Sequence, residues 1–348
     1  MNALTTIPAK RRAVVLVNLG TPEAPTPAAV RTYLAEFLAD PRVVDLHPIA
    51  RWLLLNLIIL PRRPAKVAPL YQSIWMKGGS PLLVHGRALE QQVQALLPDA
   101  EVVLAMRYGT PSLADALSRI DALRLRDVTV VPLFPHEASA TTGSVKEAVY
   151  SYYRGHPRMP GVRVVQPFFD DAGYLDVLAA NVRAQLPADV QHVLFSYHGL
   201  PERQVRREDG TGHCLTDSCC ASLTAKNAHC YRAQCFATTR LLASRLGLVD
   251  VGTSFQSRLG RDPWIGPATD ATLDGLLARG VTRVAIVTPG FVADCLETLE
   301  ELGKAAVERF ERAGGRLTVA TCLNDDTSFA QVIARLASAP QLSPTAAV

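Results

Sequence analysis

Eight short apolar runs, rich in β-branched residues and separated by amphipathic stretches, restrict this chain to a parallel α/β fold. They fall at 13–19, 101–107, 128–134, 162–166, 192–197, 250–255, 282–288 and 317–322. A strand that is apolar at nearly every position leaves no face for water, so both faces of its sheet must be covered. The covering helices are legible as helical-period patterns at 87–97, 113–123, 174–185, 238–246, 271–278 and 296–313. Alternation of this kind is the signature of doubly wound sheets. Four strands precede residue 167 and four follow it. A faint echo joins the two sets. Arg107-Tyr108-Gly109, a helix and Val128-Thr129-Val130-Val131-Pro132 resemble Arg258-Leu259-Gly260, a helix and Val281-Thr282-Arg283-Val284-Ala285. The expected architecture is two similar Rossmann-like domains, 1–167 and 168–330, each a four-stranded parallel sheet flanked by helices, with a cleft between them. Residues 331–348 are expected to form a tail, partly helical and then disordered.

Composition narrows the function classes. The formal charge is only +4 over 348 residues, and no basic run is interleaved with aromatics, so nucleic acid is not an expected partner. Arg11-Arg12 precedes Ala13-Val14-Val15-Leu16-Val17, but that run is too short for a secretory signal, lacks a small-residue cleavage site and reads as the first strand. The longest apolar stretch, Trp52 to Leu60, covers less than half of the roughly 20 residues a membrane helix needs. A cytoplasmic location is expected.

Two strand ends carry chemistry. The run His192-Val193-Leu194-Phe195 delivers Ser196-Tyr197-His198-Gly199, an imidazole at the carboxyl edge where open α/β sheets bind ligands. Histidine both moves protons near neutral pH and binds transition metals. Later, Val284-Ala285-Ile286-Val287-Thr288 breaks at Pro289-Gly290-Phe291 and opens the helix-like Asp294-Cys295-Leu296-Glu297-Thr298-Leu299-Glu300-Glu301. His198 and Glu297, each launched from a strand end, are candidates for a shared acid/base or metal-handling site. In an α-helix, Asp294, Glu297 and Glu301 share one face and would form an acidic track, with Glu300 in solvent.

The chain resembles the ferrochelatases over nearly its whole length. The motifs that carry the resemblance begin with Val17-Asn18-Leu19-Gly20-Thr21-Pro22, Pro61-Arg62-Arg63-Pro64, Gly79-Ser80-Pro81-Leu82 and Met106-Arg107-Tyr108-Gly109. They continue with Thr141-Thr142-Gly143-Ser144, Ser196-Tyr197-His198-Gly199-Leu200-Pro201, Phe255-Gln256-Ser257-Arg258-Leu259-Gly260 with Trp264, and Pro289-Gly290-Phe291 through Glu301. The resemblance implies an enzyme that inserts Fe²⁺ into protoporphyrin IX to give protohaem, the final step of haem synthesis, with Fe²⁺ as substrate. It implies His198 and Glu297 as the catalytic and iron-handling pair, and Arg107 and Tyr108 as porphyrin contacts. It also implies an apolar lip over the pocket at about 47–63, suited to peripheral membrane contact, and a monomer or homodimer. Alternative readings are a chelatase for another metal or tetrapyrrole, such as coproporphyrin III or sirohydrochlorin, and a non-catalytic haem- or iron-binding protein. One departure stands out. In Pro135-His136-Glu137-Ala138, Glu137 and Ala138 replace the tyrosine and serine usual in the family, altering the wall on that side.

Four of the seven cysteines, Cys214, Cys219, Cys220 and Cys230, crowd one segment at about 206–232, with Cys235 just beyond. In a reducing compartment such a group suits a metal site better than disulfides. Four thiolates accept either Zn²⁺ or a [2Fe–2S] cluster, and this spacing does not choose between them. The resemblance implies a [2Fe–2S] cluster, because some bacterial members of the family hold one through an internal cysteine-rich insertion. Cys235 is the alternative ligand, and His213 and His229 are fallbacks. Cys219 and Cys220 are adjacent, so both ligate only if the backbone turns between them. Cys295 and Cys322 read as core cysteines.

Overall fold

A computed structural model describes residues 10–258 and 262–339. Leu259 and Gly260 of the internal echo, and the expected disordered end at 340–348, lie outside the described residues. Eight strands form two four-stranded sheets. The first contains β1 (Arg12–Thr21), β2 (Ala100–Gly109), β3 (Asp127–Pro132) and β4 (Gly161–Val164) in the order β2-β1-β3-β4. The second contains β5 (His192–His198), β6 (Val251–Gln256), β7 (Arg283–Val287) and β8 (Arg316–Val319) in the order β6-β5-β7-β8. All pairings are parallel. The second order is the first advanced by four, so the echo in the sequence is a repeated topology. Even the point where the chain re-crosses an edge strand repeats. Met106 N donates to Pro111 O after β2, and Phe255 N donates to Pro267 O after β6.

Ala13 to Val17 in β1 and Leu194 and Phe195 in β5 are wholly buried, as apolar central strands covered on both faces must be. Short polar side chains start the covering helices. Thr26, Ser80, Ser112, Asp171 and Asp326 each accept a backbone N–H from the first turn, which satisfies a donor the helix itself cannot. Three segments wind more widely, as π-helix: Leu54–Ile59, Ser139–Gly143 and Glu297–Ala306. Such turns are uncommon and gather at functional sites.

The last helix, Thr327–Ser338, returns to the first half of the chain. It packs on helix Pro81–Leu96, helix Ala172–Gln185 and β3, with Phe329 and Ile333 fully buried. Arg335 pairs with Asp171 at 2.5 Å, and Arg163 of β4 donates to the carbonyls of Leu336 and Ala337. Residues 331–338, expected to begin a tail, are therefore part of a core helix. One apolar cluster runs from Val14 and Leu16 through Tyr174 and Phe329 to Phe195 and Tyr197, so the two sheets share a core. No helix among the described residues is long and apolar enough to cross a membrane. We predict that Phe329→Ala lowers stability by about 3–5 kcal/mol, the usual cost of emptying a buried phenylalanine site. The urea-unfolding midpoint measures it, and a change within experimental scatter would make this helix peripheral.

Candidate active site

The carboxyl ends of both sheets open onto one cavity of about 1180 Å³, larger than the roughly 300–1,000 Å³ typical of small-molecule pockets. All three π segments border it, through Leu54 and Ile59, Ala140 and Thr141, and Glu297, Glu300 and Glu301. Beside it the chain over 48–60 exposes Ile49 (66 %), Trp52 (59 %) and Leu57 (60 %) at a position that matches the expected lip.

His198 ends β5, half-buried, on this cavity. Its Nδ1 lies 2.6 Å from Gly199 O. A carbonyl only accepts, so Nδ1 carries the proton, and in the neutral ring the lone pair is on Nε2. The turn that arranges this requires glycine. A Cβ at residue 199 would sit 2.8 Å from Gln256 O and 3.1 Å from the Trp264 ring. Gly199 N donates to Gln256 O at 2.7 Å, and the Tyr231 hydroxyl donates to His198 O at 2.9 Å.

Glu297 opens the longest π segment and borders the same cavity. Beside it stand Cys295 and two tyrosines, Tyr33 and Tyr71, whose hydroxyl pKa values are raised by burial and further by the Glu297 charge. Glu301, one turn on, accepts from Ser257 N at 2.9 Å and Ser257 Oγ at 2.5 Å. Burial raises the Glu301 pKa. The Ser257 bonds and His198 pull it down, while Glu297 pushes it up. Glu301 thus senses both expected catalytic residues, which brings His198, Glu297 and Glu301 into one electrostatic group. Asp294 does not join them. It lies before the helix, buried, accepting from Thr298 Oγ1 (2.9 Å) and Asn324 Nδ2 (2.8 Å). The expected three-carboxylate face fails because the chain is not yet helical at 294.

Arg107 and Tyr108 do not border the cavity. They border a smaller pocket behind its wall with Glu36, Asp40 and Glu147. Asp40 Oδ2 accepts from Arg107 Nη2 at 2.8 Å, Tyr108 OH at 2.8 Å and Ser144 Oγ at 2.6 Å. Burial favours the neutral Asp40 carboxyl, yet these donors, the Arg42 N–H and the Arg107 charge hold its pKa below the usual range. Expected as porphyrin contacts, Arg107 and Tyr108 are instead committed to this internal network. His136 borders the cavity, with its Nε2 3.0 Å from Thr238 Oγ1 and its Nδ1 buried without a partner. Burial drops its pKa to about 3, so the ring stays neutral. Glu137 turns outward to His229 (2.8 Å) and Lys146 (3.7 Å), and Ala138 is buried on the cavity wall.

The four clustered cysteines meet. Cys230 lies close enough to Cys214 and Cys220 to feel both electrostatically, and the Cys219 and Cys220 sulfurs are 3.6 Å apart. The backbone turns at Ser218 (φ +56°), with Cys219 N donating to Thr216 O and Ala221 N to Ser218 O, so adjacent side chains can converge. All four are buried. Arg232 Nη1 lies 3.1 Å from Cys220 Sγ. Hydrogen bonds from Cys220, then from helix N–H groups and Cys214, bring Cys230 down to about 6, whereas burial and its bond to Cys230 push Cys214 up to about 12. Cys235, fully buried beside Tyr231, still feels the Cys230 charge, and His229 pairs outward with Glu137. Among the described residues no three His, Cys, Asp or Glu side chains are grouped as ligands of one metal ion.

The sequence profile of the family described as Ferrochelatase matches residues 11–340. The chain belongs to the ferrochelatase family. A ferrochelatase of Pseudomonas fluorescens (strain Pf0-1) is 46 % identical over 330 residues, covering 93 % of this chain and 96 % of its own. One from Azotobacter vinelandii is 45 % identical over 335 residues, covering 94 % and 98 %. Among solved structures, SirB from Bacillus subtilis with Fe³⁺ is similar at a TM-score of 0.54 and 12 % identity, covering 94 % of this chain and 96 % of its own. At that identity the likeness is one of fold.

Seen as a ferrochelatase site, the cavity contains groups that motif reading passed over. Ser257 lay inside a quoted motif without a role, and Tyr231 directly follows the last clustered cysteine. Tyr33 and Tyr71 gave no local signal. Replacing Ser257 by alanine removes the hydroxyl donor from the Glu301 carboxylate and keeps the backbone N–H, so the Glu301 pKa should rise further. Carboxyl ¹³C titration of wild type and Ser257→Ala measures this, and an unchanged or lower pKa would show that the Ser257 hydroxyl bond does not form.

Proposed function

We propose that this chain inserts Fe²⁺ into protoporphyrin IX, giving protohaem, with His198 and Glu297 as the reacting pair. The observation that carries the reading is His198 with a free Nε2 lone pair on the same cavity as Glu297 and Glu301. Insertion requires two pyrrole N–H protons to leave and iron to shed water. Nε2 accepts a pyrrole proton or holds the metal in transit. The Glu297 carboxylate supplies a hard oxygen ligand on the iron's path and a proton exit. Glu301, anchored by Ser257, extends that exit away from the macrocycle.

The cavity's charges favour a porphyrin with few carboxylates over coproporphyrin III or sirohydrochlorin. Four arginines line it. Arg203 pairs with Asp45 and Asp262, Arg258 with Asp270, and Arg309 with Asp274. Among the described lining residues Arg63 alone has no ion pair, and it stands beside the apolar lip as a partner for a propionate. The exposed lip suits a greasy substrate received at a membrane surface on the cytoplasmic side.

His198→Ala is expected to abolish iron insertion while the fold persists. Glu297→Gln should retain porphyrin binding and lose at least about tenfold in turnover, a conservative figure for a positioned acid/base group. An anaerobic assay with Fe²⁺ and each porphyrin tests this. Wild-type turnover in His198→Ala would end the assignment, and binding without turnover in the wild type would favour a haem-binding role.

Cys214, Cys219, Cys220 and Cys230 suit a [2Fe–2S] cluster. Two thiolates held tetrahedrally at about 2.3 Å from one metal lie roughly 3.8 Å apart, close to the Cys219–Cys220 separation of 3.6 Å. A binuclear cluster takes its thiolates in pairs, which agrees with a linked string of sulfurs better than a single zinc does. When bound, the cluster would supply a one-electron couple and tie the insertion together. Purified protein should be brown with about two iron and two sulfide per chain. Each of the four Cys→Ser variants should bleach, and Cys295→Ser and Cys322→Ser should not. A colourless protein with seven titratable thiols would remove the cluster and leave the chelatase reading intact.

A further inference from the structure

We propose that Tyr231 is a positioning residue for His198, and that the cysteine insertion holds Tyr231 in place. The inference rests on His198 being the active imidazole. Strand pairing between β5 and β6 ends at His198 and Gln256, and beyond that rung the 198–199 peptide keeps one bond to the neighbouring strand, Gly199 N to Gln256 O at 2.7 Å. The Tyr231 hydroxyl donates to the His198 carbonyl at 2.9 Å. This bond matters because it is the second of two anchors on the 198–199 peptide: the Gly199 N–H bond alone, with a glycine next in the chain, leaves that plane freer to tilt. Rotation there would move Gly199 O away from Nδ1, the contact that leaves Nε2 unprotonated.

Tyr231 is the first residue of helix Tyr231–Leu246, and Cys230 is its cap. The position of that helix start therefore depends on how Cys230 is held: its N–H donates to Asn227 O at 2.9 Å, and Asn227 Nδ2 donates to Cys219 O at 2.7 Å. A second arm runs through the next residue. Arg232 reaches Cys220 Sγ at 3.1 Å, stacks on Phe236 at 4.7 Å, and donates to Gly266 O at 3.0 and 3.3 Å. Gly266 follows Trp264 by two residues, and the Trp264 ring forbids a side chain at Gly199. Two adjacent residues thus connect the cysteine group to both sides of the His198-Gly199 turn. If Tyr231 were only a core aromatic, its hydroxyl would be dispensable.

The test uses full-length protein and compares Tyr231→Phe, Cys220→Ser and their double variant. The ¹⁵N signals of the His198 ring are assigned from His198→Gln. Tyr231→Phe should convert the single Nδ1–H tautomer into a mixture and lower kcat about fivefold, the worth of one hydrogen bond, with KM for porphyrin unchanged. Cys220→Ser should move the same ring signal in the same direction, and the double variant should go no further. An unchanged ring signal in Tyr231→Phe overturns the positioning role. Losses that multiply in the double variant overturn the link to the insertion. Arg232→Met, which keeps the stacked stem and loses the guanidinium, reads the second arm if Tyr231→Phe does not fold; an unmoved signal there also counts against the proposal. If the wild type inserts no iron into any porphyrin, the proposed function falls, and the ring signal still decides this inference.

Discussion

The cleft depends on a contact that admits no side chain, the approach of residue 199 to the carbonyl of Gln256. Because the chain passes so close, β5 stops abruptly and its last side chain, His198, is left at the sheet edge with its ring turned back on Gly199 O. Everything that defines the imidazole follows from this. Its tautomer is set by a backbone atom rather than a carboxylate, so no acidic partner is needed and the carboxylates at the site remain available for the metal. In many histidine sites an aspartate or glutamate orients the ring. Here Glu297 and Glu301, which border the same cavity, belong to another element.

The two halves share a topology and differ in what they place at equivalent points. The re-crossing loops make Met106 equivalent to Phe255, and their partners across the central strands are Asn18 and Tyr197. One residue on, Leu19 corresponds to His198, and Gly20 to Gly199. Gly20 has φ +127° and no room for a Cβ, which would lie 1.8 Å from Tyr108 O. A glycine pressed against the neighbouring strand's backbone is therefore used twice, once inside β1 beside Leu19 and once just past β5 beside the imidazole of His198. Reaction chemistry is concentrated on the second half. The first half supplies wall, lip and aromatic floor through Tyr33, Phe37 and Leu54.

Much of the fold could be read from the chain because apolar strands and helix caps are local. All eight runs became strands, and the parallel sheets followed from their lack of a polar face. What escaped was non-local or depended on backbone winding. The π segments have no sequence period that separates them from α-helix, so the acidic track was drawn on the wrong geometry and Asp294 was misplaced. Arg107 and Tyr108 sit in a motif beside the cleft, but Asp40, distant in sequence, claims both of them. The meeting of Cys219 and Cys220 turned on a left-handed backbone at Ser218, a residue with no strong preference for it. The C-terminal helix carried an amphipathic pattern, but its docking site lies on residues far earlier in the chain.

That docking bears on how anything enters the cleft. Because Thr327–Ser338 leaves the second sheet and seals against the first, and one apolar core spans both, a hinge between the halves would have to tear that core open. The shared core ties the two halves together on either side of the cavity. The segment that carries exposed Ile49, Trp52 and Leu57 lies beside that cavity, at the apolar edge a flat macrocycle would meet. With the core closed on the far side, what that apolar edge rests upon becomes part of the cavity's surroundings.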